Sequence, residues 1–152
     1  MRWICLLGVG GVLFAFPIPA AEPGVSAQFV GGTVPGITAK SSARIDLAST
    51  EYLLLHARKT DVRIDYRKIH TVEYGQSVSR RYAEAVLISP VLLLAKSRKH
   101  FVTLGYVDES GGQQAIVFRV GKGDIRSVLA SLEARTGRRV EYQDDEARKA
   151  GH

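Results

Sequence analysis

The sequence contains almost no cysteine: Cys5 is the only one among 152 residues. It lies inside an apolar N-terminal stretch that we expect to be removed, so the mature protein would contain no thiol. This absence excludes disulfides, a cysteine nucleophile and any cysteine-based zinc site. We therefore expect the fold to be stabilised by buried apolar side chains alone, without the disulfides that many small exported proteins use.

The sequence also lacks an apolar run long enough to span a bilayer. The longest run, residues 3–16, has about 14 residues, against roughly 18 or more for a membrane helix. Arg2 before it and the small residues of "PIPAA" after it are typical of a secretory signal. We expect cleavage after Ala20 or Ala21 and export to the periplasm, cell envelope or medium; an uncleaved leader that tethers the chain to a membrane is the alternative. Cleavage after Ala21 removes one of 21 basic residues and lowers the net charge from +6 to +5.

Motifs of catalysis are absent as well. The chain has no H-E-x-x-H, no G-x-S-x-G and no phosphate-cradling glycine loop. His70 and Glu73 lie three apart on a predicted strand, where such residues point to opposite faces and do not form an acid–base pair. The acidic run 144–146 lacks the spacing of a calcium loop. We therefore expect no catalytic residues, no metal and no cofactor.

Period-two patterns predict a β-rich body. Apolar residues make up 45% of the chain, which suits a globular domain. Polar and apolar residues alternate in "ARIDLAS", "VRIDY" and "KIHTVEYG", where Ile69, Thr71 and Glu73 are predicted to oppose His70, Val72 and Tyr74. "FVTLGYV" and "QAIVFRV" flank "DESGGQ", whose two glycines favour a tight reversal.

One helix is predicted near the C-terminus. "GKGDIRSVLASLEARTG" is amphipathic, and Gly137 is suited to the left-handed residue that ends a helix. Its predicted buried face comprises Ile125, Val128, Leu129 and Leu132.

This succession of strands and helix resembles a pleckstrin-homology-like domain of the GRAM or bacterial type. "FVGGTVPGI", "VEYGQSVSRR" and "SRKHFVTLGY" are also similar to small exported bacterial proteins of unassigned function. The resemblance implies a mainly β fold, an antiparallel barrel or sandwich with one C-terminal helix and a short apolar helical insertion at about 80–97. Lipid-binding members carry a basic strand-loop-strand near their start. Here that region offers only Lys40 and Arg44, so phosphoinositide binding is not implied.

The expected organisation follows from these patterns. Residues 1–21 are the signal peptide and residues 22–36 a flexible lead-in, in which "QFVGGTV" is a candidate short strand. Residues 37–142 are the pleckstrin-homology-like domain, with an apolar insertion at 79–100. Residues 143–152 are a charged, disordered tail.

The insertion "SRRYAEAVLISPVLLLAKSRKH" allows three interpretations. As one helix, residues 82–95 would extend roughly 21 Å, too short for a hydrocarbon core of about 30 Å, and Pro90 divides them. The segment either packs against the sheet, or contacts a membrane surface, or forms a partner or homo-oligomer surface. The apolar residues concerned are Val86, Leu87, Leu92 and Leu93. The residues that would meet an anionic surface are Arg80, Arg81, Lys96, Arg98 and Lys99.

Two functions remain at this point. The first is a non-enzymatic, exported binding or scaffolding module whose partner is an unknown protein or an anionic lipid surface. The second is a small structural protein that oligomerises through the apolar insertion. Nucleic acid is not an expected partner, because the leader exports the chain and aromatic residues do not interleave with the basic clusters.

Overall fold

A computed structural model describes residues 24–78, 99–143 and 145–151. The fold is mainly β, as predicted, with 48% of the described residues in strands and 18% in helices. The strands are β1 Val25–Gly32, β2 Ser42–Asp46, β3 Tyr52–Ala57, β4 Thr60–Asp65, β5 Ile69–Gly75, β6 His100–Val107, β7 Gln113–Val120 and β8 Glu141–Tyr142. A 3₁₀ turn spans Tyr66–Lys68, and the helices are α1 Ile125–Thr136 and α2 Asp145–Gly151.

All eight strands form one sheet in the order β4-β3-β2-β1-β7-β6-β5-β8. Neighbouring strands are antiparallel, except that β8 runs parallel to β5. Two meanders, β1 to β4 and β5 to β7, are therefore joined through the β1–β7 pair. This pairing places the first described strand, β1, in the middle of the sheet beside β7.

The main core lies on one face of this sheet. Val102, Leu104 and Tyr106 on β6 share it with Ile116, Phe118 and Val120 on β7, as the predicted hairpin requires. Helix α1 packs its predicted stripe on the same cluster, and all four residues of the stripe are buried. Gly137 ends the helix at φ 66°, in the left-handed region, which confirms the predicted C-cap.

The boundaries of the folded unit differ from those expected from the sequence. Residues 25–32 of the expected flexible lead-in form β1, which overlaps the candidate short strand "QFVGGTV" and lies between β2 and β7. Phe29 on this strand is 2% exposed. At the other end, residues 145–151 of the expected disordered tail form α2, whose Ala147 belongs to the core cluster. Both segments are ordered by contacts with strands or helices that are distant in the chain. Such contacts cannot be predicted from local composition. The predicted signal, residues 1–21, lies outside the described residues.

A register shift in β5 changes one predicted face. The pairing of β5 with β6 is irregular between Ile69 and Thr71, where one residue is left without a cross-strand partner. Ile69 consequently joins Val72 and Tyr74 in the core, although simple alternation places it on the opposite face. His70 is exposed, while Glu73 is 4% exposed on the side away from the core. This placement is consistent with the prediction that His70 and Glu73 point to different environments.

One polar pair lies at the margin of the core. The hydroxyl of Tyr74 and Nδ1 of His100 are 2.5 Å apart, and the two rings stack. Burial lowers the pKa of His100 below its usual 6.5, and the nearby charge of Lys122 lowers it further. The folded protein therefore holds this imidazole neutral at pH values where the unfolded chain binds a proton.

This pair predicts an acid-side loss of stability. Unfolded histidine titrates near about 6.5. Below that pH the unfolded state binds more protons, so the free energy of unfolding should fall as pH decreases toward the lowered folded pKa. Urea unfolding between pH 7.5 and 5 measures this slope in the wild type and in His100→Asn, with His70→Asn as the exposed control. We expect a shallower slope in His100→Asn only. Equal slopes in all three proteins would contradict the assignment.

Candidate functional site

Two loops at one end of the sheet form a groove of about 410 Å³. One loop, residues 33–41, connects β1 and β2; the other is the two-residue turn Arg58–Lys59 between β3 and β4. The lining residues are 36–41 and 57–60. We call this feature the loop groove.

The longer loop is held in place by backbone and core contacts. The amide of Phe29 donates to the carbonyl of Ser41 at 2.9 Å, and the amide of Ser41 donates to the carbonyl of Thr38 at 3.2 Å. The side-chain amide of Gln28 donates to the carbonyl of Lys40 at 3.1 Å. Ile37 packs its apolar side chain against the core cluster. The loop groove is therefore fixed to the central strand β1.

The side chains around the loop groove are basic. Lys40, Arg58 and Lys59 are all exposed, and among the described residues that line the loop groove no side chain is acidic. The nearby carboxylate of Asp61 lies 2.9 Å from Nδ1 of His56. Three positive charges on two anchored loops create a local field that attracts anions.

Two of these basic residues have an unusual backbone conformation. Lys40 has φ 63° and Arg58 has φ 42°, and among the described residues no other non-glycine residue has a positive φ. The left-handed region costs a residue with a Cβ roughly 1–2 kcal/mol, and glycine or asparagine usually occupies such turn positions. Strain of this kind often marks functional loops. Lys40 and Arg58 both line the loop groove, so this backbone conformation marks the loop groove as a candidate functional site for its basic residues.

A hydroxyl lies among the backbone atoms of the same loop. The Oγ atom of Ser41 is buried and has no hydrogen-bond partner among the described residues. An unpaired buried hydroxyl costs free energy, which a ligand oxygen could recover by accepting a hydrogen bond from it. The loop groove thus combines cations at its rim with a free donor below them.

A second cavity, of about 560 Å³, has different chemistry. It is lined by residues of the β2–β3 loop, including Asp46, Ser49 and Glu51. Asp46 accepts from the amide of Ala48 at 2.7 Å, and the hydroxyl of Ser49 accepts from the amide of Glu51 at 3.1 Å. Arg135 of α1 donates to the carbonyl of Ser49. These polar groups hold the loop together, so this cavity is a weaker candidate for a binding site.

One histidine–carboxylate pair links β3 and β4. His56 and Asp61 are cross-strand partners, but their side chains are 39% and 67% exposed. Such a surface pair contributes modestly to sheet stability. Within residues 24–78, 99–143 and 145–151, no three His, Cys, Asp or Glu side chains are placed to hold a metal ion.

The contact residues predicted from the sequence are mostly not described. Lys99 is described; it is half-buried and directly precedes β6. His100 pairs with Val120 at the end of β7, whereas Gly32, beside the loop groove, pairs with Ile116, nearer the start of β7. Lys99 and the loop groove therefore lie at opposite ends of the strands. The others, outside the described residues, are Arg80, Arg81, Lys96, Arg98, Val86, Leu87, Leu92 and Leu93.

The sequence analysis did not single out Arg58 or Lys59, and it named Lys40 only in a region with too few basic residues to imply phosphoinositide binding. The available signal was a two-residue hairpin connection made only of basic residues, without glycine, asparagine or aspartate. Arg58 and Lys40 belong to different loops of the chain, and the pairing of β2 with β3 brings these loops to the same end of the sheet. Local patterns do not encode this proximity.

Comparison with known proteins adds no assignment, since neither a protein-family model nor a curated protein matches the sequence. Within the part of the chain that the structure describes, neither helix has the length and apolar character needed to cross a membrane.

Proposed function

We propose that the protein is a non-enzymatic, exported binding module of pleckstrin-homology-like fold that binds an anionic lipid surface through the loop groove. The observation that carries this proposal is that Lys40, Arg58 and Lys59 line the same groove as Ser41, whose hydroxyl is buried and has no hydrogen-bond partner among the described residues. Two anchored loops present these groups without a lining acid among the described residues. Such an arrangement suits the phosphate groups of an anionic lipid surface.

The order of elements supports the fold part of the proposal. Seven consecutive antiparallel strands in two meanders precede α1, which packs on the core between them. A pleckstrin-homology-like domain has the same succession of seven strands and a helix. Binding functions on such a scaffold reside in loops between strands. The loop groove lies between two of these loops.

Vesicle flotation tests the proposal. The wild type should float with vesicles that contain phosphatidylglycerol, remain unbound with pure phosphatidylcholine, and dissociate as salt increases. Each basic residue at an anionic surface contributes about 1 kcal/mol, so removing three should weaken partitioning by about two orders of magnitude. The test variant is Lys40→Ala/Arg58→Ala/Lys59→Ala.

A matched control removes the same charge elsewhere. Lys122, Arg138 and Arg139 are exposed, and the triple alanine variant at these positions has the same net charge as the test variant. We expect this control to retain most of the binding. Equal losses in both variants, or no flotation of the wild type, would contradict the loop groove as the binding site. A third variant measures the contribution that sequence analysis assigned to the insertion, with alanine at Arg80, Arg81, Lys96, Arg98 and Lys99.

A further inference from the structure

The sheet has a second buried face. We define the second face as the outward side of β5, β6 and β7, opposite the core cluster. Phe101, Thr103 and Val117 point to this side and are 3%, 1% and 0% exposed. None of them belongs to the core cluster. Strands buried on both sides require a packing partner on each.

The other half of the sheet contrasts with this burial. On β3, Leu53 and Leu55 point to the core, whereas Tyr52, Leu54 and His56 point outward and are only half-buried. On β4, the exposed Arg63 lies over the ring of Tyr52 at 4.1 Å. The outward side of β3 and β4 is thus solvated. The requirement for a packing partner falls on β5, β6 and β7 and extends to the neighbouring strand β1, where Val30 is 3% exposed and lies outside the core cluster.

The described helices lie on the other side of the sheet. Ile125, Val128, Leu129 and Leu132 of α1 belong to the core cluster, as does Ala147 of α2. Gln143 reaches the margin of the second face, where its side chain donates to Glu73 at 2.9 Å. It cannot cover Val117, which lies two strands away from β5.

The chain leaves β5 toward the second face. Gly75 pairs with Phe101, so a side chain at Gly75 would point to the same side as that phenyl ring. A Cβ at this position would lie 2.8 Å from Oε1 of Gln143 and 3.0 Å from the carbonyl oxygen of Ser77, so both residues lie on this side of Gly75. The next described residue, Val78, is 4% exposed. The chain returns at Lys99, next to the start of β6.

We propose that residues 79–98 pack across the second face and bury Val86, Leu87, Leu92 and Leu93 against it. The segment begins and ends beside the Gly75–Phe101 pair, so it must go out and return. Ten residues in each direction extend about 15 Å even if fully helical. Thr103 lies only about 7 Å along the strand from Phe101. The acid Glu73 on this face and the arginines Arg80 and Arg81 at the start of the segment have opposite charges.

In this packing the four apolar residues are internal, so they do not form an oligomer surface. The inference is independent of the loop groove, which lies at the opposite end of the strands. A second copy of the chain and the apolar leader, residues 3–16, are the other conceivable occupants of the second face.

Cross-linking distinguishes these occupants. In the full chain with Cys5→Ser, Thr103→Cys is combined in turn with Val86→Cys, Leu87→Cys, Leu92→Cys or Leu93→Cys. Oxidation of the protein should form a disulfide in at least one of these pairs within a single chain, because the two thiols would already be adjacent and no bulky reagent has to enter the covered face. The controls combine the same four substitutions with Leu54→Cys on the solvated half of the sheet. We expect at least about tenfold less product there, because cross-links form only between side chains that approach closely.

The remaining outcomes would overturn the proposal. Products only between chains indicate a second copy on the second face, and no product with any of the four pairs indicates that the segment lies elsewhere. As a second measurement, Thr103→Cys alone should react with maleimide much more slowly than Ser110→Cys in the exposed β6–β7 turn. Removal of residues 1–21 should leave that slow rate unchanged; rapid reaction after removal would identify the leader as the occupant.

Discussion

Phe29→Ala should lower the free energy of unfolding by about 3–5 kcal/mol, the usual cost of emptying an aromatic site in a core. Phe29 is 2% exposed and pairs with Phe118 across the β1–β7 junction that unites the two meanders. The surrounding residues belong to the central sheet and cannot collapse freely into the cavity. A domain of this size has a total stability of roughly 5–15 kcal/mol, so the variant should be close to unfolding.

Urea unfolding followed by circular dichroism measures the effect. The matched control is Ser26→Ala on the same strand, where the side chain is exposed and a change within about 0.5 kcal/mol is expected. If Phe29→Ala were as stable as this control, β1 would not be an integral strand. The comparison therefore decides whether residues 25–32 are part of the folded unit.

Val117→Asp should destabilise the protein by at least about 3 kcal/mol, because it buries a carboxylate on the second face. Val117 is 0% exposed and lies on β7 in the middle of the sheet. The new charge could avoid burial only if the material that packs on this face moved away. We expect an unfolded or strongly destabilised protein at neutral pH, with partial recovery at acid pH where the carboxyl is protonated.

Leu54→Asp provides a control with the same change of charge and polarity. Leu54 points to the outward side of β3 and is half-buried, so the new carboxylate remains in contact with water. We expect a loss of about 1 kcal/mol or less. Similar losses in the two variants would show that the outward side of the sheet is uniform and would remove the distinction between its two halves.

Several elements could be predicted because their patterns are local. The β6–β7 hairpin follows from two alternating runs around "DESGGQ", and α1 follows from apolar residues at helical spacing with Gly137 after them. Side-chain direction in these elements repeats with the backbone period, so each buried face can be read directly. The irregular pairing between Ile69 and Thr71 interrupts this repeat, which explains why simple alternation misplaces Ile69.

Other features depend on contacts between distant parts of the chain. Residues 25–32 are rich in small residues and resemble a linker, yet they form β1 because β2 and β7 supply hydrogen-bond partners on both sides. Residues 145–151 carry a high density of charge, but α2 buries Ala147 against the core. In both cases tertiary burial outweighs local propensity.

The sequence by itself determined a mainly β chain without disulfides, with a late hairpin and a helix that closes the core. Those conclusions rest on residue type and on the spacing of apolar residues, which repeats every two residues in a strand and every 3.6 residues in a helix. This spacing is a property of each element by itself. Only the tertiary structure decided that Lys40 lines the same groove as Arg58 and Lys59, and that β6 is buried on both faces. Both facts depend on strand order, which is set by hydrogen bonds and packing between residues far apart in the chain.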